Sequence, residues 1–179
     1  NHDEPRATAT FPPDRHRAAA VVTFLAPGLR FFHEGELEGR KVHVSMHLGR
    51  RPDEPVDEAL RDFYGRLFAV LRRPEVHEGS WRLRECRPAW EGNPTSNDFI
   101  AMSWEGSSAR LLACVNMGPT QGQCWTEARF AGLESGPVRL RDLLGPESYE
   151  RDGSELAGRG LYLDLPASGC HVFEVGAVT

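Results

Sequence analysis

The sequence predicts two kinds of structure in series: an α/β segment over residues 1–78, then an all-β antiparallel sandwich over residues 79–179. Three observations carry this. Apolar residues fill two helix-length stretches before residue 78, and they alternate in short runs after residue 80. Between the two helical stretches lies one short apolar run, too brief for a helix. The later runs are bounded by Gly, Pro, Asn or Ser, which punctuate strands.

The first helical stretch, DRHRAAAVVTFLA, is expected to open with Asp14 as N-cap, after Pro12 and Pro13, and to close at Pro27–Gly28. From Ala18 to Leu25 it is apolar nearly all round, which predicts little solvent exposure. The run LRFF, Leu29 to Phe32, fits a strand buried on both faces. A polar, Gly-rich loop follows over 33–56. The second helix is expected from Asp57 to Arg72, where Leu60, Phe63, Tyr64, Leu67, Phe68 and Leu71 form one stripe. Helix, buried strand, loop and amphipathic helix make an α/β alternation. One strand cannot form a sheet, so partner strands are expected upstream, and the opening Asn1-His2-Asp3 reads as the continuation of a longer chain.

In the second half, DFIAMSW, ARLLACVNM, QCWTEARF, PVRLRDLL, GLYLDLP and CHVFEV predict roughly seven or eight strands. Leu161, Leu163 and Leu165 alternate with Tyr162 and Asp164; Phe173 and Val175 are read as alternating with His171 and Glu174. Leu111, Ala113, Val115, Leu161, Leu163 and Phe173 are expected to be buried, and Trp104 partly so. Trp81, Trp90, Trp104 and Trp125 are read as packing residues with a satisfied N–H, the alternative being platforms that stack on sugar rings.

Composition narrows the function. With 40% apolar and 26% charged residues the chain is of ordinary globular make-up. A net charge of −5 provides no basic footprint, which argues against nucleic acid. No apolar stretch approaches a membrane span. The four cysteines, Cys86, Cys114, Cys124 and Cys170, have no metal-ligand spacing and are read as buried reduced thiols, with one disulfide as the alternative. A cytoplasmic setting is favoured, and secretion stays open because a signal peptide could lie upstream. His43 and His47 are four apart in HVSMH, but without the Glu of a zinc motif and in a loop, so no metal is expected there.

The order of motifs resembles the C-terminal part of the α-amylase family of glycoside hydrolases. Asn1-His2-Asp3 is similar to the family's NHD segment at the end of the seventh strand of a (β/α)8 barrel. APGLRFFHEGELEG, Ala26 to Gly39, is similar to its eighth strand, with Phe31-Phe32-His33-Glu34 standing where tyrosines, a glycine and an acidic residue usually are. The helix 57–72 would be the last barrel helix, and residues 79–179 the C-terminal β-domain. The resemblance implies that Asp3 is the carboxylate that stabilises an oxocarbenium-like transition state. His2 would hold a neighbouring sugar hydroxyl, Asn1 would brace the turn, and His33 and Glu34 would line the substrate cleft. Retaining glycosidases also need a nucleophile and an acid/base carboxylate; the family takes these from strands four and five, which this sequence does not contain. Asp53, Glu54, Asp57 and Glu58 cannot replace them, lying in a loop and at a helix start.

The resemblance therefore implies part of a retaining α-glycoside hydrolase or transglycosylase acting on α-glucans or related α-glucosides, inactive alone. Its partners would be an α-glucan or oligosaccharide and the upstream remainder of the barrel. No cofactor is expected in this stretch, with calcium left open for the whole protein. The alternatives are a carbohydrate-binding or interaction module, or a noncatalytic relative.

Overall fold

The computed structural model describes residues 3–45, 47, 50–107 and 109–178. Helices come first. Helix α1 is a single turn, Ala7–Thr10, and α2 runs Pro13–Leu25. Pro13 occupies the first helical position, where its locked φ and missing N–H cost nothing. Asp14 therefore sits inside the first turn, where its charge meets the helix dipole, instead of capping; Pro12 is the cap residue. Helix α3, Glu58–Leu71, is capped by Asp57, whose carboxylate accepts the Leu60 N–H at 3.0 Å. Its expected stripe is buried, apart from half-buried Phe68. A short α4, Pro74–Glu78, leads into the strands.

The run Leu29 to Phe32 is not a strand. Leu29 is 98% exposed and Phe31 54%. Phe32 turns inward, stacking on Phe24 at 4.0 Å and meeting Phe68 at 4.7 Å. A strand needs a neighbour to take its backbone hydrogen bonds, and none pairs with this run among the described residues.

Nine strands follow among the described residues: β1 Ser80–Arg84, β2 Cys86–Pro88, β3 Phe99–Glu105, β4 Arg110–Asn116, β5 Gly122–Thr126, β6 Pro137–Asp142, β7 Ser148–Asp152, β8 Leu161–Leu165 and β9 Cys170–Ala177. A short helix α5, Gly153–Gly158, joins β7 to β8, its N-cap Asp152 accepting the N–H groups of Ser154 and Glu155. All pairings are antiparallel, in a six-stranded sheet of order β1-β3-β4-β9-β6-β7 and a three-stranded sheet of order β2-β5-β8.

The larger sheet is covered on both faces. Phe99, Leu112, Leu140 and Phe173 meet Leu161, Leu163 and Leu165 of the smaller sheet. On the opposite face Met102, Leu111, Ala113, Val115 and Val172 meet Val21, Phe24 and Leu25 of α2 and the stripe of α3. The result is three layers: helices, sheet, sheet. Each large side chain buried this way stabilises by about 1.5–3 kcal/mol. Double coverage explains why β4 is buried along nearly its whole length instead of alternately. Leu111, Ala113, Val115, Leu161, Leu163, Phe173 and Trp104 are all buried, as expected.

His171 lies two residues from Phe173 and hence on the same face, stacked on its ring at 4.9 Å; it does not alternate with it. The tryptophans divide. The Trp104 indole donates to the Leu25 carbonyl at 2.8 Å, satisfying one of the orphan acceptors at the end of α2. The Trp81 indole nitrogen is buried with no partner, contrary to the expected satisfied N–H. Trp90 is exposed, and Trp125 lies under the Arg159 guanidinium at 4.0 Å. All four cysteines are free thiols, two buried and two half-buried. No helix among the described residues is long and apolar enough to cross a membrane.

Candidate active site

The segment carrying Asp3 is a turn followed by Pro5 and the single helical turn α1. Asp3 is exposed at its start. Three residues on, Arg6 is only 7% exposed. Its Nη1 donates to the Glu34 carbonyl at 2.5 Å and its Nε to the Val42 carbonyl at 3.3 Å, while Nη2 lies 3.9 Å from the Glu34 carboxylate. A planar guanidinium with five donors can hold two chain segments at once, which an ammonium cannot. Thr8 adds a second tie, its hydroxyl donating to the Arg40 carbonyl at 2.5 Å. The Asp3 segment and the 33–42 segment are thereby joined.

The loop is ordered by its own bonds. Gly35 has φ +82, and a Cβ there would fall 2.6 Å from Arg40 Cγ, so only glycine fits this turn. The His33 N–H donates to Glu36 Oε2 at 3.2 Å. Glu36 Oε1 accepts the Tyr64 hydroxyl at 3.1 Å, and that hydroxyl lies 2.9 Å from His16 Nε2. A hydrogen-bonded chain thus runs from α2 through α3 to the backbone of His33. Burial lowers the His16 pKa, against the opposing Glu36 charge, and raises that of Tyr64, where the Glu36 charge adds to it. Glu34 points outward and pairs with Arg51.

Between the two segments lies a cleft of about 530 Å³, lined by residues including Glu4, Arg6, His16, Phe31, His33 and Glu36. Of the residues singled out in the sequence, His33 borders this cleft. Glu34 is joined to the Asp3 segment through Arg6, and the Asp3 and Glu34 side chains lie outside the lining. His2 lies outside the described residues. His43 and His47 are in non-helical chain, so their spacing does not put them on one helical face. Arg6, His16, Glu36 and Tyr64 were not legible as site residues: Arg6 reads equally as a partner of Glu4 or Asp3 and as a solvated charge, and Tyr64 as one member of an apolar stripe.

The architecture is that of α-amylase structures, with the sandwich matching their C-terminal β-domain. No family model matches the chain, and no curated protein does. Among solved structures, a noncanonic maltogenic α-amylase from Thermotoga neapolitana aligns at TM-score 0.73 and 12% identity over 99% of this chain. An α-amylase from Geobacillus thermoleovorans, complexed with acarbose, aligns at 0.72 and 16% over 100%. An Anoxybacillus α-amylase aligns at 0.70 and 16% over 100%. The chain spans 37–40% of the length of these structures.

Proposed function

We propose that the chain is part of a retaining α-glycoside hydrolase or transglycosylase acting on α-glucans or related α-glucosides. Asp3 stabilises the transition state, His2 and His33 contribute to the substrate cleft, and Glu34, outside its lining, stands beside it with its carboxylate near Arg6 and Arg51. The observation that carries this reading is the clamp: Arg6 ties the segment bearing Asp3 to the loop bearing His33 and Glu34 on the rim of one cleft. Arg6, three residues after Asp3, thus meets a loop some thirty residues further along the chain. The α-amylase fold supports the reading as an architecture that carries this chemistry. The exposed Phe31, on the cleft wall, and Leu29, two residues before it, are apolar surface that a further part of the protein would cover.

In this reading the nucleophile and acid/base lie outside these 179 residues, so the chain alone should not turn over an α-glucoside. A carboxylate at Asp3 would accept hydrogen bonds from sugar hydroxyls that strengthen as positive charge develops on the ring. Asp3→Asn in the full-length protein, assayed on a maltooligosaccharide, should lower kcat by about 10²–10³ with little change in KM or thermal melt. Near wild-type turnover in a folded Asp3→Asn protein would overturn the assignment. Sugar binding by the 179-residue chain without loss of activity in Asp3→Asn would instead favour a binding module.

A further inference from the structure

The turn that joins β6 to β7 brings two carboxylates together. The Asp142 N–H donates to the Glu147 carbonyl at 2.8 Å, closing the hairpin. The Asp142 side chain is buried; its Oδ1 accepts the N–H groups of Leu144 and Val172, each at 3.1 Å. Its Oδ2 lies 2.7 Å from His171 Nδ1, on the neighbouring β9. The imidazole is held by the Phe173 face at 4.9 Å and the Tyr149 ring at 6.5 Å. Glu147 reaches the same point from the solvent side, and one donor atom from each of the three residues lies within 4.8 Å of the others.

Gly145 supplies the room. A Cβ at this position would stand 2.2 Å from Glu147 Oε2 and 3.1 Å from Asp142 Oδ2, so the two oxygens converge over a gap that any other residue would fill. Among the described residues no arginine or lysine pairs with either carboxylate; Asp142 pairs with the imidazole of His171. Convergent carboxylates without a guanidinium or ammonium repel one another, and a divalent cation relieves that repulsion. A plain Asp–His hydrogen bond accounts for Asp142 and His171 and the turn for the nearness of Glu147; the convergence of the Glu147 and Asp142 oxygens over Gly145 is what a cation would use.

The geometry points to a cation site formed by Asp142, Glu147 and His171, with water completing the coordination. One imidazole nitrogen with two carboxylate oxygens suits a first-row divalent transition ion such as Zn²⁺; Mg²⁺ and Ca²⁺ prefer all-oxygen shells. On binding, the ion takes the place of the proton between His171 Nδ1 and Asp142 and the ring keeps a proton on Nε2; the displaced proton passes to solvent from an imidazolium, or to Nε2 by way of water from a neutral ring. The backbone N–H groups on Asp142 Oδ1 orient the carboxylate, as outer partners do in metal sites. The ion would pin the β6–β7 turn to β9.

The test titrates the EDTA-stripped, dialysed 179-residue chain with ZnCl₂ by calorimetry and follows its thermal melt. One equivalent should bind and raise the melting temperature, with MgCl₂ and CaCl₂ doing neither at the same concentration. Glu147→Gln, an exposed change, should leave the metal-free melt unchanged and weaken Zn²⁺ by about tenfold or more. His171→Gln should abolish binding, and a His43→Ala/His47→Ala double variant should retain it. Absence of binding up to millimolar Zn²⁺ overturns the site. So does wild-type affinity in Glu147→Gln, or loss of binding in the His43/His47 variant alone.

Discussion

Arg6→Ala probes the clamp on which the candidate site rests. The substitution strips a charged donor from two backbone carbonyls, those of Glu34 and Val42, at a position where the side chain is only 7% exposed. A hydrogen bond to a charged group contributes about 1.5–3 kcal/mol. The Val42 contact is long at 3.3 Å and belongs at the low end of that range. The ion pair with Glu34 adds little, because that carboxylate is 64% exposed and 3.9 Å away. Together these give about 3–4.5 kcal/mol. Both lost partners lie in the 33–42 segment, so the change should appear as local opening there more than as global unfolding. Amide hydrogen exchange should quicken by about 140- to 1,600-fold over that segment, since each 1.4 kcal/mol is tenfold, with smaller effects in β3, β4 and β9. Arg6→Lys, lacking the fork, should recover only part of the protection. Unchanged exchange over residues 33–42 in Arg6→Ala would show that the loop holds itself and that the clamp does not assemble the site.

Three further outcomes follow from other groups. Trp104→Phe keeps the ring but removes the donor to the Leu25 carbonyl; about 1 kcal/mol of stability should go, lowering the melting temperature by about 2–4 °C, and an unshifted melt would refute that role. The His16 pKa is lowered in the fold, so the unfolded chain takes up its proton first. Stability should therefore be full above about 6.5, the unfolded value, and decline as pH falls below it, while His16→Gln should flatten that part of the profile. The Cys86 thiol is held down to about 7 by a hydrogen bond from Cys124, while burial raises Cys114; iodoacetamide at neutral pH should label Cys86 first, and preferential labelling of Cys114 would contradict the packing.

What could be read in advance was whatever a side-chain pattern encodes locally. Helix α3 announces itself through Asp57 and the stripe from Leu60 to Leu71, and β8 through Leu161, Leu163 and Leu165, because each pattern repeats with its element's own period. Strand β7 was missed, since all five of its residues are exposed and nothing apolar alternates along it. The run Leu29 to Phe32 has strand composition, but a strand is a property of pairs, and no partner is present among the described residues to realise it. In the site, His33 and Glu34 stood out by their place in the motif order. Arg6 did not, because its partners are backbone carbonyls 28 and 36 residues away, and every residue has a carbonyl. The chain of His16, Tyr64 and Glu36 joins three elements that only tertiary packing brings together.

The double coverage of the six-stranded sheet bears on how such a protein can be cut and recombined. A sandwich closed by its own two sheets could be transplanted, lost or expressed separately, as a cassette. Here Met102, Leu111, Val115 and Val172 would be stripped of their cover if the helices were removed, and the end of α2 would lose the indole that completes its last turn. The β half is thus bound to the helices that bear the cleft as one heritable unit, and a boundary drawn at residue 79 divides the chain by its secondary structure but not by its core.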